Sequence, residues 1–302
     1  MGMSGRAVQT GAVRSHSGWK NMSISEKTSL AQEPALVVDD VVKRFGRGTE
    51  IVTAVDHVSF TVRQGEFVSV IGPSGCGKST LFNIIGGLLS DYEGAVKIGE
   101  ERISAPHPAV GMVFQEESTF PWRTVIDNVA FPLELQGVAK SERMDRAHHF
   151  IDMVGLASFE KAFPSQLSGG MKQRVSIARI LVSQPKILLM DEPFAALDEQ
   201  TRLLLGDKIT QIQQELNQTT LLITHNLTEA VQLSDRIVVM TYRPGQVKRI
   251  VDINLPRPRT SDVVGSDAFG HYVAEIWNDL REEASRGMAD SESAASRRAT
   301  HG

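Results

Sequence analysis

Residues 72–80 read GPSGCGKST, a spacing of glycines, lysine and hydroxyls that suits a phosphate chain. Gly72, Gly75 and Gly77, with Pro73, Ser74 and Cys76 between them, let backbone N–H groups close around phosphate oxygens. A helix starting just behind such a loop adds a favourable dipole. Lys78 supplies a point charge for the outer phosphates, Ser79 a hydroxyl for Mg²⁺, and Thr80 a donor for an inner phosphate. Further along, KILLMDEP places Asp191 and Glu192 directly behind an apolar run. Asp191 is expected to hold Mg²⁺ through water. Glu192 is expected to act as general base on an attacking water, a role typically worth ~10²–10⁴ in rate.

Two more polar residues end strand-like runs. His225 closes TTLLITH, where it either hydrogen-bonds a γ-phosphate or orients Glu192. A strand-terminal histidine is more often structural, but an edge shared with Asp191 favours function. Gln115 closes VGMVFQ and either senses Mg²⁺ or the lytic water, or merely caps its strand.

PSQLSGGMKQRV, residues 164–175, is half of a second phosphate site. Ser168, Gly169 and Gly170 stand where a helix should begin, with free amides but no lysine or metal ligand of their own. They suit a γ-phosphate whose other side is already held.

The elements that must position these groups follow from periodicity. ALVVDDVVKRF and AVDHVSFTV partly alternate, as half-buried antiparallel strands do, whereas FVSVI is nearly all apolar, as a buried parallel strand should be. From Thr124 to about Phe163 apolar residues recur three and four apart, with Gly137 and Gly155 at helix ends. A helix is predicted from Met171 to about Ser183, and another through EQTRLLLGDKITQIQQEL. RIVVMTY leads to a hairpin at Arg243–Gly245, and GSDAFGHYVAEIWNDLREEA closes the ordered part as an amphipathic helix. Strands alternating with helices imply an α/β doubly wound core with an inserted helical subdomain and an N-terminal antiparallel β layer. The predicted boundaries are a disordered leader over 1–34, a nucleotide-binding domain over 35–256 with the helical subdomain at about 116–166, a helical extension over 257–285, and a disordered tail over 286–302.

Composition bounds the rest. The chain has 302 residues, 41% of them apolar and 23% charged, with net charge −4 and one cysteine. There is no overall basic field to recommend nucleic acid as a partner. No apolar run approaches the ~18 residues of a membrane span. The N-terminus lacks the apolar core of a signal peptide, so the expected place is the cytoplasmic face of a membrane, reached through another protein.

In this order the pieces resemble the ATP-binding subunits of ABC transporters over roughly residues 36–256. GPSGCGKST is similar to their Walker A, Gln115 to the Q-loop, LSGGMKQR to the signature, ILLMDEP to Walker B, Ala196–Asp198 to the D-loop, and His225 to the switch histidine. The resemblance implies a P-loop NTPase core, ATP and Mg²⁺ as ligands, and Gln115 and Asp198 among the nucleotide contacts. Phe45 stands where the family usually stacks a tyrosine on adenine. The signature faces the nucleotide of a second subunit in this family. One loop and one signature per chain therefore imply two chains, identical or paralogous, head to tail about a two-fold axis.

FQEESTFPWRTVIDNVAFPLELQG looks most like importers of the nitrate, sulfonate and taurine type. That implies an integral membrane permease and, beyond it, an extracytoplasmic solute-binding protein. The other reading is a non-transport ABC ATPase acting on nucleic acid or as an ATP switch. Such proteins tend to have long coiled coils or two cassettes in one chain.

Three smaller expectations complete the reading. Phe120, Trp122 and Val125 either fill the helical subdomain or form a permease groove. Cys76, a small residue in a phosphate loop, should inhibit when alkylated and be protected by MgATP. His148 and His149 diverge by about 100° around a helix and do not converge on a metal.

Overall fold

The computed structural model describes residues 34–46, 51–116, 118–195 and 197–299, with side chains to residue 289. Four strands form the N-terminal layer: β1 (Pro34–Phe45), β2 (Val52–Arg63), β4 (Glu93–Ile98) and β5 (Glu101–Arg102) pair antiparallel in the order β2-β1-β4-β5. Six more make the core sheet: β3 (Phe67–Ile71), β6 (Val110–Val113), β7 (Ile187–Asp191), β8 (Thr219–Ile223), β9 (Arg236–Met240) and β10 (Val247–Asp252). Their order is β10-β9-β3-β8-β7-β6, parallel except for β10. The expected antiparallel layer beside a parallel α/β core is therefore what folds.

The core strands read as continuous apolar runs because both faces of the sheet are covered. Successive side chains point to opposite faces. Phe67, Leu188, Met190 and Leu222 pack beneath the helical subdomain. Val68, Val70, Leu189 and Leu221 pack against the antiparallel layer and α1 (Lys78–Ile85). Each such side chain contributes about 1.5–3 kcal/mol relative to exposure.

Helices α2 (Val125–Leu135) and α3 (Lys140–Met153) make the inserted subdomain and pack on α4 (Gly169–Leu181) through Val129, Phe150 and Val175. The glycines expected at helix ends do fall there: Gly137 and Gly155 follow α2 and α3 in the left-handed region, at φ 75° and 71°. Helix α4 starts two residues before its predicted start. Ser168 takes the N-cap position, its hydroxyl accepting from the Met171 amide at 3.3 Å, so both glycines become its first turn. Helix α5 (Glu199–Leu216) and the short α6 (Leu227–Leu233) follow β7 and β8.

The C-terminal boundary needs correction. Helix α7 runs from Asp267 to Ala299, through residues assigned above to a disordered tail. The segment after residue 285 is low in apolar residues, but it is rich in good helix formers and has no proline to stop it. Arg286 continues the helix with an ion pair to Glu283 one turn back, at 3.1 Å. At Gly287 a Cβ would lie 2.8 Å from the Tyr242 ring, so the glycine lets the helix approach the β9–β10 hairpin. The predicted leader lies outside the described residues except Pro34, which opens β1. No helix among the described residues is long and apolar enough to cross a membrane.

Candidate functional site

The phosphate loop follows β3 and turns into α1 through backbone that only glycine adopts easily. Gly75 and Gly77 have φ of 77° and 97°. A Cβ on Gly77 would collide with the Ala54 carbonyl oxygen, a backbone atom that cannot swing away. Leu81, Phe82, Ile84 and Ile85 bury one face of α1 and fix the direction in which its first amides point. Lys78 folds back over the loop, its Nζ donating to the carbonyls of Gly72 at 2.8 Å and Pro73 at 3.1 Å. Lys78 is buried, so its charge is held at the loop rather than spent in solvent.

Asp191 ends β7 with Glu192 directly after it, and His225 lies just past β8, its neighbour in the sheet. The register sets Asp191 opposite Ile223, and the Glu192 amide donates to the Ile223 carbonyl at 2.8 Å. That bond holds Glu192 at φ 44°, a left-handed conformation that typically costs a non-glycine residue about 1–3 kcal/mol. Bent this way, the side chain turns to His225, whose Nδ1 lies 3.0 Å from Glu192 Oε2. Burial pushes the Asp191 carboxyl above its ordinary range and the charge of Glu192 adds to that, while a hydrogen bond with Ser79 and the Lys78 charge oppose it. A carboxylate in that position is suited to a cation.

Ser79 and Asp191 are therefore the pair that fits Mg²⁺. Few protein ligands are needed, because Mg²⁺ retains waters and takes the rest from phosphate. Among the described residues no cluster of three or more His, Cys, Asp or Glu could hold a metal by itself.

An open cleft of about 420 Å³ lies over the loop. Ser74, Gly75, Gly77, Lys78, Ser79, Thr80 and Glu192 line it, and Phe45 closes one side. Phe45 is 44% exposed, and its ring carries Lys43 Nζ 4.8 Å from its centroid on one face. Arg243, Val52 and Ala54 also line the cleft and were missed in the sequence. Val52 and Ala54 look like ordinary strand residues, and Arg243 looks like part of a turn. The signal for Arg243 was its place in a hairpin after a core strand, which by spacing alone does not aim at a loop so far upstream.

The other expected residues lie apart from the cleft. Gln115 is exposed two residues beyond β6, at the same sheet edge as Asp191 but outside the lining. Ser168 and Gly169 are exposed at the start of α4, and Gly170 packs against Leu197 of the D-loop segment. Asp198 caps α5, accepting from the Thr201 amide at 3.0 Å and its hydroxyl at 2.7 Å, and these bonds lower its carboxyl below the ordinary range. None of Ser168, Gly169, Gly170 or Asp198 lines the cleft of its own chain.

Of the aromatic trio, Val125 is fully buried core, whereas Trp122 is 72% exposed. Phe120 is half-buried and packs between other aromatics, with ring centroids 5.7 Å from Trp122 and 4.7 Å from Phe131. Cys76 is completely buried, and burial pushes its thiol up. His148 contacts Glu160 at 2.6 Å.

Comparison with known proteins agrees with this geometry. The family described as ABC transporter matches residues 55–195. An ABC transporter ATP-binding protein of Methanocaldococcus jannaschii is 47% identical over 84% of this chain and 94% of its own. The nitrate import ATP-binding protein of Synechocystis is 43% identical over 82% of this chain and 95% of its own. The aliphatic sulfonates import ATP-binding protein of Bacillus cereus is 43% identical over 74% of this chain and 88% of its own. Among solved structures, a dimeric ATP-binding cassette in a post-hydrolysis state, bound to ADP and Pi, superposes with a TM-score of 0.64. It is 33% identical, over 73% of this chain and all of that one. With a phosphate loop, paired acids and a histidine on neighbouring parallel strands, the chain belongs to the ABC transporter ATP-binding family, the ATP-hydrolysing subunits of transporters.

Proposed function

We propose that this chain energises import of a small oxyanion or sulfonate by closing on ATP as one of a head-to-tail pair and opening on hydrolysis. The observation that carries the reading is the division of phosphate-binding groups between two places. Lys78, Ser79 and Glu192 line one cleft, while the Ser168 helix start presents its amides elsewhere on the surface. A second copy, or a paralogue, would bring its Ser168, Gly169 and Gly170 to the exposed side of the γ-phosphate. A dimeric cassette among similar structures supports this arrangement.

Within the cleft the purine stacks on Phe45 and the loop amides and Lys78 hold the phosphates. Mg²⁺, held by Ser79 and Asp191, would neutralise phosphate charge. Glu192 takes the proton from the attacking water, and His225 orients its carboxylate. Gln115 and Asp198 act at the edge, Gln115 toward the metal and water, Asp198 toward the partner copy. Once the γ-phosphate has gone, nothing joins the two signature helices to the two loops, and the pair separates.

Exposed Trp122, backed by the half-buried Phe120 ring, gives the helical subdomain an aromatic platform, the kind of surface that anchors an interface. It would receive the membrane permease, and the permease an extracytoplasmic solute-binding protein. The nitrate and sulfonate importers at 43% identity support the cargo class.

The test uses the chain assembled with its permease. Glu192→Gln should stop turnover while trapping MgATP. In that trapped state, cysteines at Ser168 and Ser74, with Cys76→Ser removing the native thiol, should crosslink between copies. No intermolecular crosslink with MgATP bound would end the head-to-tail reading. Undiminished hydrolysis would remove Glu192 from its role.

A further inference from the structure

Arg243 begins the turn between β9 and β10, and its side chain reaches the phosphate loop. Its Nε donates to the Gly75 carbonyl at 2.8 Å, and the same side chain lines the cleft with Phe45 and Lys78. The approach is close: a Cβ on Gly75 would lie 3.0 Å from Arg243 Nη2.

The turn is itself clamped in place. The Gly245 amide donates to the Ala54 carbonyl at 3.2 Å, and the Asp56 amide donates to the Gly245 carbonyl at 2.9 Å. The Thr241 hydroxyl donates to the Pro244 carbonyl at 2.8 Å. A Cβ on Gly245 would collide with the Cys76 carbonyl oxygen, so glycine alone lets the turn lie on the loop. On its other side the Tyr242 amide donates to the buried Glu283 carboxylate of α7 at 2.9 Å.

The decisive feature is what Arg243 lacks. It is exposed, and among the described residues its one hydrogen bond is to a neutral carbonyl and no carboxylate pairs with it. A guanidinium held by Nε alone keeps its terminal N–H groups and its whole charge for another partner. At the rim of a phosphate site the chemistry that answers is an anionic oxygen.

We infer that Arg243 is a nucleotide-binding residue: it pins the crest of the phosphate loop through Gly75 and offers its terminal donors to the phosphate chain that ATP and ADP share. The inference rests on the nucleotide reading of the cleft and adds a contact from outside the loop, supplied by the hairpin.

The experiment measures binding of ATP and of ADP to the purified full chain, with kcat and KM beside it, for Arg243→Ala, Arg243→Lys and Lys78→Ala. Arg243→Ala should weaken both nucleotides about tenfold, raising KM more than it lowers kcat. Arg243→Lys should recover part of the loss, because one ammonium can satisfy the carbonyl or the anion but not both. Wild-type affinity in both Arg243 variants would overturn the inference, even if their melting temperatures fell, since the residue would then only hold a turn. If Arg243→Ala does not fold, the lysine variant decides by the same criterion. Lys78→Ala separates the two readings: unaltered nucleotide affinity there would sink the cleft itself, whereas lost affinity there with none lost at Arg243 would sink only the arginine.

Discussion

His225 Nδ1 lies 3.0 Å from Glu192 Oε2, two residues more than thirty positions apart that meet because β7 and β8 are neighbours. Glu192 is the more buried partner, with its side chain 21% exposed against 62% for His225. The histidine reaches in from solvent to a carboxylate set by its own backbone. On the proposal that Glu192 is the general base, replacing the histidine leaves that carboxylate in place and unsteered. His225→Ala should lower kcat by about 10²-fold, within the range for general-base positioning, and leave ATP affinity within a few fold. Single-turnover hydrolysis beside equilibrium binding measures both, and a large loss of affinity would instead place His225 on the nucleotide.

Gly77 combines a left-handed φ with a backbone carbonyl where a side chain would go. Gly77→Ala should destabilise the fold by about 1–3 kcal/mol and weaken nucleotide binding at least tenfold. Urea unfolding and nucleotide titration read the two effects. Near wild-type behaviour would mean that the loop has a second conformation able to accept a Cβ.

Cys76 turns its thiol into the core under the loop. Because burial raises its pKa, little thiolate is present near neutrality, and the reagent has no access. Iodoacetamide labelling of the native protein at pH 7.5 should be at least tenfold slower than in urea, followed by mass spectrometry. Equal rates would show that the loop opens readily.

Glu283 ties α7 to the hairpin, accepting from the Tyr242 amide at 2.9 Å and from Lys248 Nζ at 3.1 Å. Burial pushes its carboxyl up, but the amide and the ammonium outweigh burial and hold it below the ordinary value. A depressed carboxyl contributes stability above its unfolded pKa and loses it as pH falls through the folded one. Glu283→Ala should therefore cost about 1–3 kcal/mol at pH 7, chiefly by leaving the Tyr242 amide without its acceptor while Lys248 keeps Glu282, and the gap from wild type should narrow as pH falls below the ordinary glutamate range. Chemical unfolding of both proteins across pH 3–7 checks the sign. A gap that widens in acid would refute it.

Much of this protein was legible one residue after another. The loop, the acids and the histidine each follow an apolar run short enough to be a buried strand. Glycines after α2 and α3 mark their ends, and α5 begins and finishes where its pattern does. These are local matters: period, caps and φ are properties of a few consecutive residues, so a linear chain displays them directly. The length of α7 was missed for the same reason, since an apolar-poor segment gives no period even where its helix formers and the hairpin beside it sustain a helix.

Only the folded chain decided who stands beside whom. Strand order β9-β3-β8-β7-β6 is chosen by which apolar faces bury together, and that choice brings Lys78, Glu192 and His225 to one edge from three distant segments. It also seals Cys76 inward, leaves Trp122 outward, holds the Ser168 helix start away from its own cleft, and lays Arg243 on Gly75. Spacing along a chain records backbone geometry, whereas contact between remote segments is set by the burial of surfaces that no single segment contains.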